Sequence, residues 1–423
     1  MSKVFKSDYS SEAVAGFTHR TAIEEAARCL LCHDAPCSQG CPAGTDPAKF
    51  IRSIRFRNTK GAAETIRENN VLGGSCARIC PYDRLCEEEC SRCGIDRPIE
   101  IGRLQRYAVE QEEAFGMRTL KAPERTNGVK VACIGAGPAS LACAAELAKA
   151  GYLVTIFEKE EKAGGMLTYG VLPARLPQRV VDHDVAMTAG LGIKFEFGKK
   201  VGRDVSLDDL RKKGFKAFFV GAGLWRAKRP DIPGSDLNGV FTAVDFLKKA
   251  REAGGVPEIK GKSVVVVGGG DVAVDSAVTA KLAGAEQVVI YYRRTLEEAP
   301  ANMDEIRYAI SIGITVATNF APSEISGTGR VEYVSFRGRD GKSEAKVAAD
   351  AVVFAIGQDP EDMSWLTGVK LTEKGTIMTS RNGTTDAEAV FAAGDIVNNG
   401  KTAVEAVAAG KGAAFDMMSF LGK

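Results

Sequence analysis

Hydrophobic positions divide the chain into an N-terminal part with helical periodicity and a longer part in which strand-like and helix-like segments alternate. Up to about residue 125 apolar residues recur at helical spacing, as at Phe50, Ile51 and Ile54. The pattern predicts helices over residues 22–29, from 47 onward and over 99–114. Thr21 and Glu24 have the spacing of a capping box for the first of these. Asp46-Pro47 is a typical start for the second.

The alternating part begins, after a polar linker at 121–128, with a complete dinucleotide fingerprint. An apolar strand is followed by a tight turn at Gly135 and Gly137, a helical stretch, and a second apolar strand that ends in Glu158. Gly135 permits the sharp turn, and Gly137 lets a pyrophosphate approach the backbone at a helix N-terminus. Glu158 is placed to accept hydrogen bonds from ribose hydroxyls. Ser140 replaces the third glycine, which we expect to loosen the strand–helix contact slightly.

A second fingerprint begins at Ser263 and differs from the first at its end. Its glycine turn is followed by a helix and by a strand that ends in Arg293-Arg294 rather than in an acid. An arginine at this place holds a 2′-phosphate through charge-assisted bonds. The second site is therefore predicted to prefer NADPH to NADH. The turn residues are Gly268, Gly269, Gly270, Asp271, Val272 and Ala273.

Hydrophobic periodicity alone does not show where two further glycine-rich segments lie in the fold. Gly164-Gly165-Met166-Leu167 follows the first fingerprint, and is either a plain turn or a second backbone approach to its nucleotide. The C-terminal segment 390–414, with Gly394-Asp395, fits either nucleotide unit. The length of 423 residues is enough for two to four domains with substantial cores.

Composition excludes several function classes. Lys plus Arg is 56 and Asp plus Glu is 54, so no global charge favours nucleic acid or a membrane surface. The first 17 residues contain no apolar stretch of the kind found in secretion signals, and no later run approaches membrane-spanning length. We therefore expect a cytoplasmic protein. Nine of the 11 cysteines fall between Cys29 and Cys93, which favours metal binding over disulfides.

The spacing of these cysteines is close to that of a ferredoxin. The run Cys29-x2-Cys32-x4-Cys37-x3-Cys41-Pro42 has the form in which the cysteine before proline serves a second cluster. Thiolates suit iron–sulfur clusters or zinc, but the spacing is not that of a paired zinc ribbon. His33 is interpreted as a solvated neighbour. The remaining ligands of the second cluster must come from Cys76, Cys80, Cys86, Cys90 and Cys93.

At these residues the chain resembles the NAD(P)H-oxidising subunit of bacterial dihydropyrimidine dehydrogenase and the N-terminal half of the mammalian enzyme. The resemblance extends from about Ala22 to the C-terminus, and it is strongest in RCLLCHDAPCSQGCPAGTDPAKFIRSI, residues 28–54. The small subunit of glutamate synthase is similar more distantly. The resemblance implies an α/β fold in which a helical iron–sulfur domain precedes two Rossmann-like domains, with the NAD(P)H domain inserted in the FAD domain. The implied domains are 1–125 (iron–sulfur), 126–227 and 357–423 (FAD), and 228–356 (NAD(P)H).

The resemblance also implies a ligand set for two [4Fe–4S] clusters. One cluster would be held by Cys29, Cys32, Cys37 and Cys90. The other would be held by Cys41, Cys80, Cys86 and the side-chain oxygen of Gln105. Spacing alone favours Cys76 or Cys93 over a glutamine for that last position, so the two interpretations differ. A neutral oxygen donor in place of a thiolate removes negative charge and is expected to shift that cluster's potential.

Nucleotide contacts are implied in the same way. The implied FAD contacts are Gly135, Ala136, Gly137, Pro138, Ala139, Glu158, Gly165, Met166, Leu167, Arg175, Gly394, Asp395, Lys401 and Thr402. The implied nicotinamide nucleotide contacts are Gly269, Gly270, Asp271, Val272, Arg293, Arg294, Ala355, Ile356 and Gly357. The mammalian enzyme offers a further cation just after the arginine pair, whereas this chain has TLEEAPAN at 295–302. The bacterial relatives are usually described as NADH enzymes, so the arginine pair and the resemblance disagree about the nucleotide.

Together these features predict an electron-input subunit. It would oxidise NAD(P)H by hydride transfer to FAD and pass single electrons through the clusters to an FMN-containing subunit that reduces uracil or thymine. Hydride transfer to flavin requires no side-chain acid or base, so no catalytic residue is predicted. The alternatives are an electron donor like the glutamate synthase small subunit, and a stand-alone flavin reductase with structural zinc. A hetero-oligomer without nucleic acid or membrane is expected.

Overall fold

A computed structural model describes residues 12–380 and 382–422. Most of the N-terminal stretch for which we predict no secretion signal, residues 1–11, lies outside the described residues. The described residues form two compact units. The cysteine unit, named for its thiols, comprises Ala15–Thr168, Gln178–Leu224 and the described residues from Pro360 onward. The arginine unit, named for Arg293-Arg294, comprises residues 12–14, Tyr169–Pro177 and Trp225–Asp359.

The N-terminal part of the cysteine unit is helical, as its periodicity predicts. Its helices are α1 (His19–Ala27), α2 (Pro36–Gln39), α3 (Pro47–Arg55), α4 (Thr59–Asn69), α5 (Gly73–Ile79) and α6 (Ile101–Ala114), with 3₁₀ turns at Tyr82–Arg84 and Ser91–Gly94. The second helix prediction is confirmed, since the Asp46 side chain accepts from the Lys49 N–H. The first capping prediction is wrong. Thr18 caps α1 and Thr21 is its reciprocal partner, because the chain becomes helical three residues earlier than the apolar pattern indicates.

The first fingerprint then forms a βαβ unit inside a parallel sheet. The elements are β1 (Lys130–Ile134), α7 (Pro138–Lys149), β2 (Leu153–Phe157), α8 (Met166–Tyr169), α9 (Gln178–Ala189), β3 (Lys194–Glu196), α10 (Leu207–Lys212) and β4 (Phe215–Val220). Strands β1 and β2 pair in parallel, with Val131 beside Val154 and Ile134 beside Phe157. Their side chains are largely buried, as expected for a parallel sheet covered on both faces.

The arginine unit contains a second parallel sheet and a smaller antiparallel one. Its elements are β5 (Arg226–Ala227), β6 (Val240–Thr242), α11 (Ala243–Ala253), β7 (Ser263–Val267), α12 (Asp271–Leu282), β8 (Gln287–Tyr292), α13 (Met303–Ser311), β9 (Thr315–Thr318), β10 (Phe320–Ser326), β11 (Tyr333–Gly338), β12 (Glu344–Ala348), β13 (Ala351–Phe354) and β14 (Gln358–Asp359), with a 3₁₀ turn at Pro257–Ile259. Strands β10, β11 and β12 form the antiparallel sheet, and β14 pairs with β5.

The end of the chain returns to the first sheet. Strand β15 (Val390–Ala392) pairs in parallel with β4, and α14 (Asp395–Asn398) and α15 (Ala403–Phe420) follow it. Helix α15 packs so tightly on α7 that a Cβ at Gly410 would lie 2.1 Å from the Ala139 carbonyl oxygen. Because β15 joins a sheet that already contains β1 to β4, the stretch Trp225–Asp359 of the arginine unit is an insertion within the chain of the cysteine unit. The predicted fold class is confirmed.

Each fingerprint strand lies at the point where the order of the strands in its parallel sheet reverses. The strand orders are β15-β4-β1-β2-β3 and β6-β13-β7-β8-β9. In both sheets the fingerprint strand lies between the next strand of its βαβ unit and a strand from later in the chain. Ligands of doubly wound sheets bind outside the carboxyl ends of the strands at such a switch point. The topology therefore provides two nucleotide-binding crevices, one in each unit.

Among the described residues, no helix combines the length and the apolar character needed to cross a membrane.

Candidate functional site

Four of the clustered cysteines surround one small pocket. Cys29, Cys32, Cys37 and Cys90 line it together with apolar residues of α3 and the segment before α6, and its cavity volume is about 20 Å³. Burial, together with the neighbouring thiols Cys90, Cys29 and Cys32, raises the pKa of Cys37 to about 12. Thiols that are packed together in this way lose their protons when a cation binds between them. These are the four residues that the resemblance assigns to one cluster.

A second group of thiols adjoins the first. A hydrogen bond with Cys76 raises the pKa of Cys80 well above its ordinary value, and burial and the thiols of Cys86 and Cys41 act in the same direction. Burial likewise raises the pKa of Cys86, with contributions from Glu87, Cys41 and Cys37. The influence of Cys37 on Cys86 indicates that the two groups are neighbours. All eleven cysteines lie in the described part of the chain, and none forms a disulfide.

The fourth member of the second group has two candidates of different chemistry. Cys76, on α5, is buried and contacts Cys80, so the structure brings it into the group. Gln105, on α6, is half-buried, and its Nε2 donates to the Gly73 carbonyl oxygen at 2.8 Å. Cys93 is exposed, its thiol donates to the Glu87 carbonyl oxygen at 3.4 Å, and partial desolvation and the thiol of Cys90, a member of the first group, raise its pKa.

No three His, Cys, Asp or Glu side chains of the described residues are arranged to hold a single metal ion. That observation does not bear on polynuclear clusters, whose protein ligands stand further apart. His33 has a side chain that is 97% exposed and pairs with Asp34, so its interpretation as a solvated neighbour is confirmed.

The first fingerprint forms a cradle with space above it. Gly135 has a φ of +89°, and a Cβ there would lie 2.8 Å from the Gly221 carbonyl oxygen at the end of β4. Gly137 is the N-cap of α7, and a Cβ there would meet no atom within 4 Å. Pro138 and Ala139 are the first residues of the helix that follows. Gly221 also provides the room for Ser140, since a Cβ at Gly221 would lie 2.3 Å from the Ser140 hydroxyl.

Glu158 is held beside this turn. It is only 4% exposed, and its Oε2 accepts from the Ala136 N–H at 2.6 Å while its Oε1 accepts from the Glu160 N–H at 2.9 Å. Burial raises its pKa, and the two backbone donors partly oppose that effect. Each carboxylate oxygen keeps a further lone pair, so the same side chain can accept from ribose hydroxyls. Sequence reasoning assigned Glu158 to the ligand alone and missed its contact with the turn.

Two segments that sequence alone left open lie at this cradle. The Gly164 N–H donates to the Ala136 carbonyl oxygen at 2.8 Å, and a Cβ at Gly165 would lie 3.0 Å from the Gly137 Cα. Met166 and Leu167, the next predicted contacts, begin α8. A Cβ at Gly394 would lie 2.9 Å from the Ala139 Cβ. The loop at 164–167 and the C-terminal segment therefore both adjoin the first fingerprint.

The C-terminal segment presents a short polar turn to the same crevice. Asp395 begins α14, and its Oδ1 accepts from the Lys401 N–H at 3.1 Å. Burial raises the Asp395 pKa, although the Lys401 N–H opposes the shift. Thr402 caps α15 through a reciprocal capping box with Glu405. A helix N-terminus and its donors thus lie beside the first fingerprint.

Arg175 lies in the other unit. Its Nη1 contacts the Asp275 Oδ1 at 2.8 Å, and its Nη2 pairs closely with Glu305. Burial alone would lower the pKa of Arg175, but Asp275 and Glu305 outweigh that effect and raise it. Within the described structure its guanidinium is thus engaged by two carboxylates of the arginine unit.

The second fingerprint repeats the geometry of the first. A Cβ at Gly268 would lie 2.4 Å from the Ala355 carbonyl oxygen at the end of β13, so the turn adjoins residues 355–357. A Cβ at Gly269 would lie 2.3 Å from the Tyr292 ring, so any larger residue would clash there, which explains why the position is occupied by glycine. Gly270 is the N-cap of α12, and Asp271 and Val272 are its first residues. Ile356 and Gly357 continue from Ala355, and Gly357 has a φ of +113°.

The arginine pair follows β8 at the edge of this crevice. Arg293 and Arg294 are exposed, and within the described residues neither forms an ion pair. A third arginine, Arg339, comes close to them from the antiparallel sheet. The Asn319 N–H donates to the Arg294 carbonyl oxygen, and the Arg339 N–H donates to that of Asn319. Arg339 Nη1 contacts Glu298 at 2.7 Å in the loop after the pair, a relation that sequence spacing gave no signal for.

The two cysteines outside the cluster are core residues, as predicted. Cys133 on β1 and Cys143 on α7 are completely buried. They neighbour each other, since burial and a hydrogen bond with Cys133 both raise the pKa of Cys143. The Cys143 thiol also contacts the Met417 sulfur at 3.8 Å.

Comparisons with known proteins agree with this geometry. Residues 6–117 match the family model described as dihydropyrimidine dehydrogenase domain II, 4Fe-4S cluster, and residues 129–410 match pyridine nucleotide-disulphide oxidoreductase. The NAD-dependent dihydropyrimidine dehydrogenase subunit PreT of Escherichia coli O157:H7 is 44% identical over 96% of both chains. The chain belongs to the family of the dihydropyrimidine dehydrogenase PreT subunits. The glutamate synthase [NADPH] small chain of Escherichia coli K12 is also related, at 33% identity over 96% of this chain and 92% of that one.

Solved structures show the same fold at low sequence identity. Mycobacterium tuberculosis FprA in complex with NADPH matches with a TM-score of 0.61 and 19% identity over 70% of this chain and 85% of that one. Thioredoxin reductase from T. acidophilum matches with a TM-score of 0.55 and 23% identity over 68% and 97%. The predicted cofactor classes, which are FAD, a nicotinamide nucleotide and 4Fe–4S clusters, are confirmed at the level of the family.

The two glycines of the first turn give a matched pair of variants. Gly137→Ala is expected to leave the stability of the flavin-free protein unchanged, because the added methyl group meets no atom within 4 Å. It should nevertheless weaken FAD binding about tenfold or more, which corresponds to ~1.4 kcal/mol, because that space is where the pyrophosphate is expected. Gly135→Ala should instead destabilise the fold by about 1–3 kcal/mol through its positive φ and its clash. Flavin absorbance per chain and thermal unfolding measure the two effects. Normal flavin affinity in Gly137→Ala would contradict the assignment.

Proposed function

We propose that this chain is the electron-input subunit of a dihydropyrimidine dehydrogenase. It oxidises NAD(P)H and delivers electrons to a separate, FMN-containing subunit that reduces uracil or thymine. The observation that carries the proposal is that both sets of clustered cysteines and the first fingerprint lie in one compact unit. The chain is also 44% identical to a PreT subunit over nearly its whole length. Bound FAD exchanges the two electrons of a hydride for the single electrons that iron–sulfur clusters accept.

The thiols hold the clusters in this proposal. Cys29, Cys32, Cys37 and Cys90 bind one [4Fe–4S] cluster, which their shared pocket supports. Cys41, Cys80, Cys86 and Gln105 bind the other. The hydrogen bond from Gln105 Nε2 to Gly73 supports the glutamine, because it uses the amide nitrogen and leaves Oε1 available as a ligand. Cys76 then remains a buried thiol next to Cys80.

The nucleotide sites follow the two switch points. FAD binds to the cradle of Gly135–Ala139, with Glu158 at the ribose and residues 165–167, 394–395 and 401–402 around it. Arg175 is retained as an FAD contact from the resemblance alone, since its carboxylate partners lie in the arginine unit. The nicotinamide nucleotide binds at residues 269–272 and 355–357, with Arg293 and Arg294 at the adenosine ribose. We retain the domain limits 1–125, 126–227 with 357–423, and 228–356 as part of the proposal.

The cellular setting follows from the thiols. Eleven unpaired cysteines suit a reducing compartment, so we place the protein in the cytoplasm. The partner is proposed from the subunit name of its relatives, and a hetero-oligomer is the expected state. The second candidate function is electron donation to a glutamate synthase large chain, which the 33% identity to that small chain supports less strongly.

The function is tested on anaerobically purified chain. It should contain about eight iron and eight sulfide per chain, as two [4Fe–4S] clusters require. Alone, it should oxidise NAD(P)H with an artificial dye but leave uracil and thymine unchanged, since no pyrimidine site has been assigned to it. Adding an FMN-containing pyrimidine subunit should start dihydropyrimidine formation. Robust uracil reduction by the pure chain would overturn the division of labour, and glutamate formation with a glutamate synthase large chain would favour the second candidate.

The fourth ligand of the second cluster is tested by two substitutions. Gln105→Ala should alter the electron paramagnetic resonance signal and the potential of one cluster and leave the other unchanged. Cys76→Ser should leave both signals intact, because the thiol is a neighbour and not a ligand. If Cys76→Ser removes a cluster while Gln105→Ala has no effect, the glutamine assignment is wrong.

Nucleotide preference is tested at the arginine pair. Replacing Arg293 and Arg294 with alanine should weaken NADPH use much more than NADH use, by about tenfold or more per arginine, because each charge-assisted contact is worth roughly 1.5–3 kcal/mol. Arg339→Ala should have a smaller effect of the same sign. Arg330→Ala, at the opposite end of the antiparallel sheet, is the matched control. Relatives are named NAD-dependent, so an unchanged preference ratio in the double variant would support NADH instead.

A further inference from the structure

One lysine joins the last helix of the cysteine unit to the cysteine-bearing loops. Lys411, on α15, donates from Nζ to the Ala43 carbonyl oxygen at 2.7 Å and to the Asn69 carbonyl oxygen at 2.7 Å. Ala43 follows Cys41 by two residues, and Asn69 is the last residue of α4. A single half-buried ammonium group therefore contacts both the Cys41 loop and a helix end.

The second of these contacts has a clear physical basis. The last carbonyl groups of a helix lack partners within it and carry partial negative charge, so a cation is favourable there. Lys149, on α7, uses the same helix end by donating to the Glu68 carbonyl oxygen at 3.0 Å. The two lysines thus attach the C-terminus of α4 to the helices that pack on the first fingerprint.

The two lysines differ in their net charge. Lys149 also pairs with Glu146 at 2.9 Å, so its charge is largely balanced. Lys411 has no carboxylate within ion-pairing distance among the described residues. Burial lowers the pKa of Lys411 and Lys149 adds to that effect, whereas Glu146 and Cys41 raise it. The ammonium of Lys411 is thus an incompletely balanced positive charge whose field reaches Cys41.

We propose that Lys411 is a positioning residue that holds the Cys41 loop against α15 and favours the reduced state of the cluster bound by Cys41, Cys80 and Cys86. The proposal rests on the proposed function, because it requires that cluster. Cys41 and Ala43 are two residues apart, so their Cα atoms are at most about 7 Å apart. The charges of Cys41 and Lys411 interact, and partly buried charges are screened less than exposed ones. Reduction adds one electron to the cluster, and a nearby cation lowers the energy of that added charge.

The consequence concerns the direction of electron flow. The helix that carries Lys411 begins at Ala403, is capped by Thr402 and packs on α7 of the first fingerprint. A positive charge between that region and the Cys41 loop makes an electron on the nearer cluster more stable. Lys411 would therefore favour transfer out of the flavin region.

The test is a redox titration of the anaerobic holoprotein followed by electron paramagnetic resonance, with iron content measured in parallel. Lys411→Met removes the charge and keeps the length of the side chain, and it should move the midpoint potential of one cluster to more negative values. The other cluster should be unaffected. Lys411→Arg, which keeps the charge and donor groups, should stay close to the native potential. Lys149→Met is the matched control and should leave both potentials in place.

The outcomes separate the inference from the proposed function. If Lys411→Met loses iron from one cluster and Lys411→Arg restores it, the positioning role is supported. If Lys411→Met retains its iron and both native potentials, or if Lys149→Met shifts a cluster as much, the inference is overturned. Either of these results leaves the proposed function intact, whereas a native chain without eight iron and eight sulfide would refute the function itself.

Discussion

The placement of the thiols depends on a buried charge network around Arg67. The guanidinium lies between Glu112 of α6, at 2.7 Å, and Asp184 of α9, at 2.5 Å, and all three side chains are completely buried. Asp184 also accepts from the N–H groups of Gly74 and Ser75 at the start of α5. Removing one partner from such a network costs about 3–5 kcal/mol, because the remaining charge cannot be hydrated. The network therefore fixes four helices in one arrangement, with each charge using several hydrogen bonds.

This constraint connects the redox site to the fold. Helix α5 is held at its N-terminus by Asp184, carries Cys76 and ends immediately before Cys80. The carbonyl of Gly73, its first residue, receives the Gln105 amide, so the same helix orients the proposed oxygen ligand. Burial alone would raise the pKa of Glu112, but His183 and Arg67 outweigh it and bring the value to about 2. Since a carboxyl with a depressed pKa contributes stability above its unfolded value, near 4.5, that contribution is lost only as pH falls from about 4.5 towards 2.

Much of the fold was predictable because its signals are local. Each glycine turn is contiguous in sequence with its strand and its helix. Both predicted βαβ units are present in the parallel sheets. The cap of α1 was misplaced by three residues because Thr21 fits the capping pattern as well as Thr18 does. Arg339 and Lys411 were missed for a different reason. Both approach their sites from distant parts of the chain, through β11 and α15, and no periodicity connects them to Arg294 or Cys41. Spacing also could not distinguish Cys76 from Cys93. In the fold, Cys76 is buried beside Cys80, whereas Cys93 is exposed and neighbours Cys90.

The two nucleotide crevices show how one scaffold supports two kinds of recognition. In the first, Glu158 is buried and bonded to the Ala136 and Glu160 N–H groups, so the acid is rigid before any ligand binds. In the second, Arg293 and Arg294 are exposed, and a neighbouring cation, Arg339, is held by Glu298. A rigid acid selects a ligand by geometry, whereas exposed surface charges act mainly through electrostatic attraction. We therefore expect the nucleotide preference of the second crevice to reflect Arg293, Arg294 and Arg339 together with the acids of the loop at 297–298.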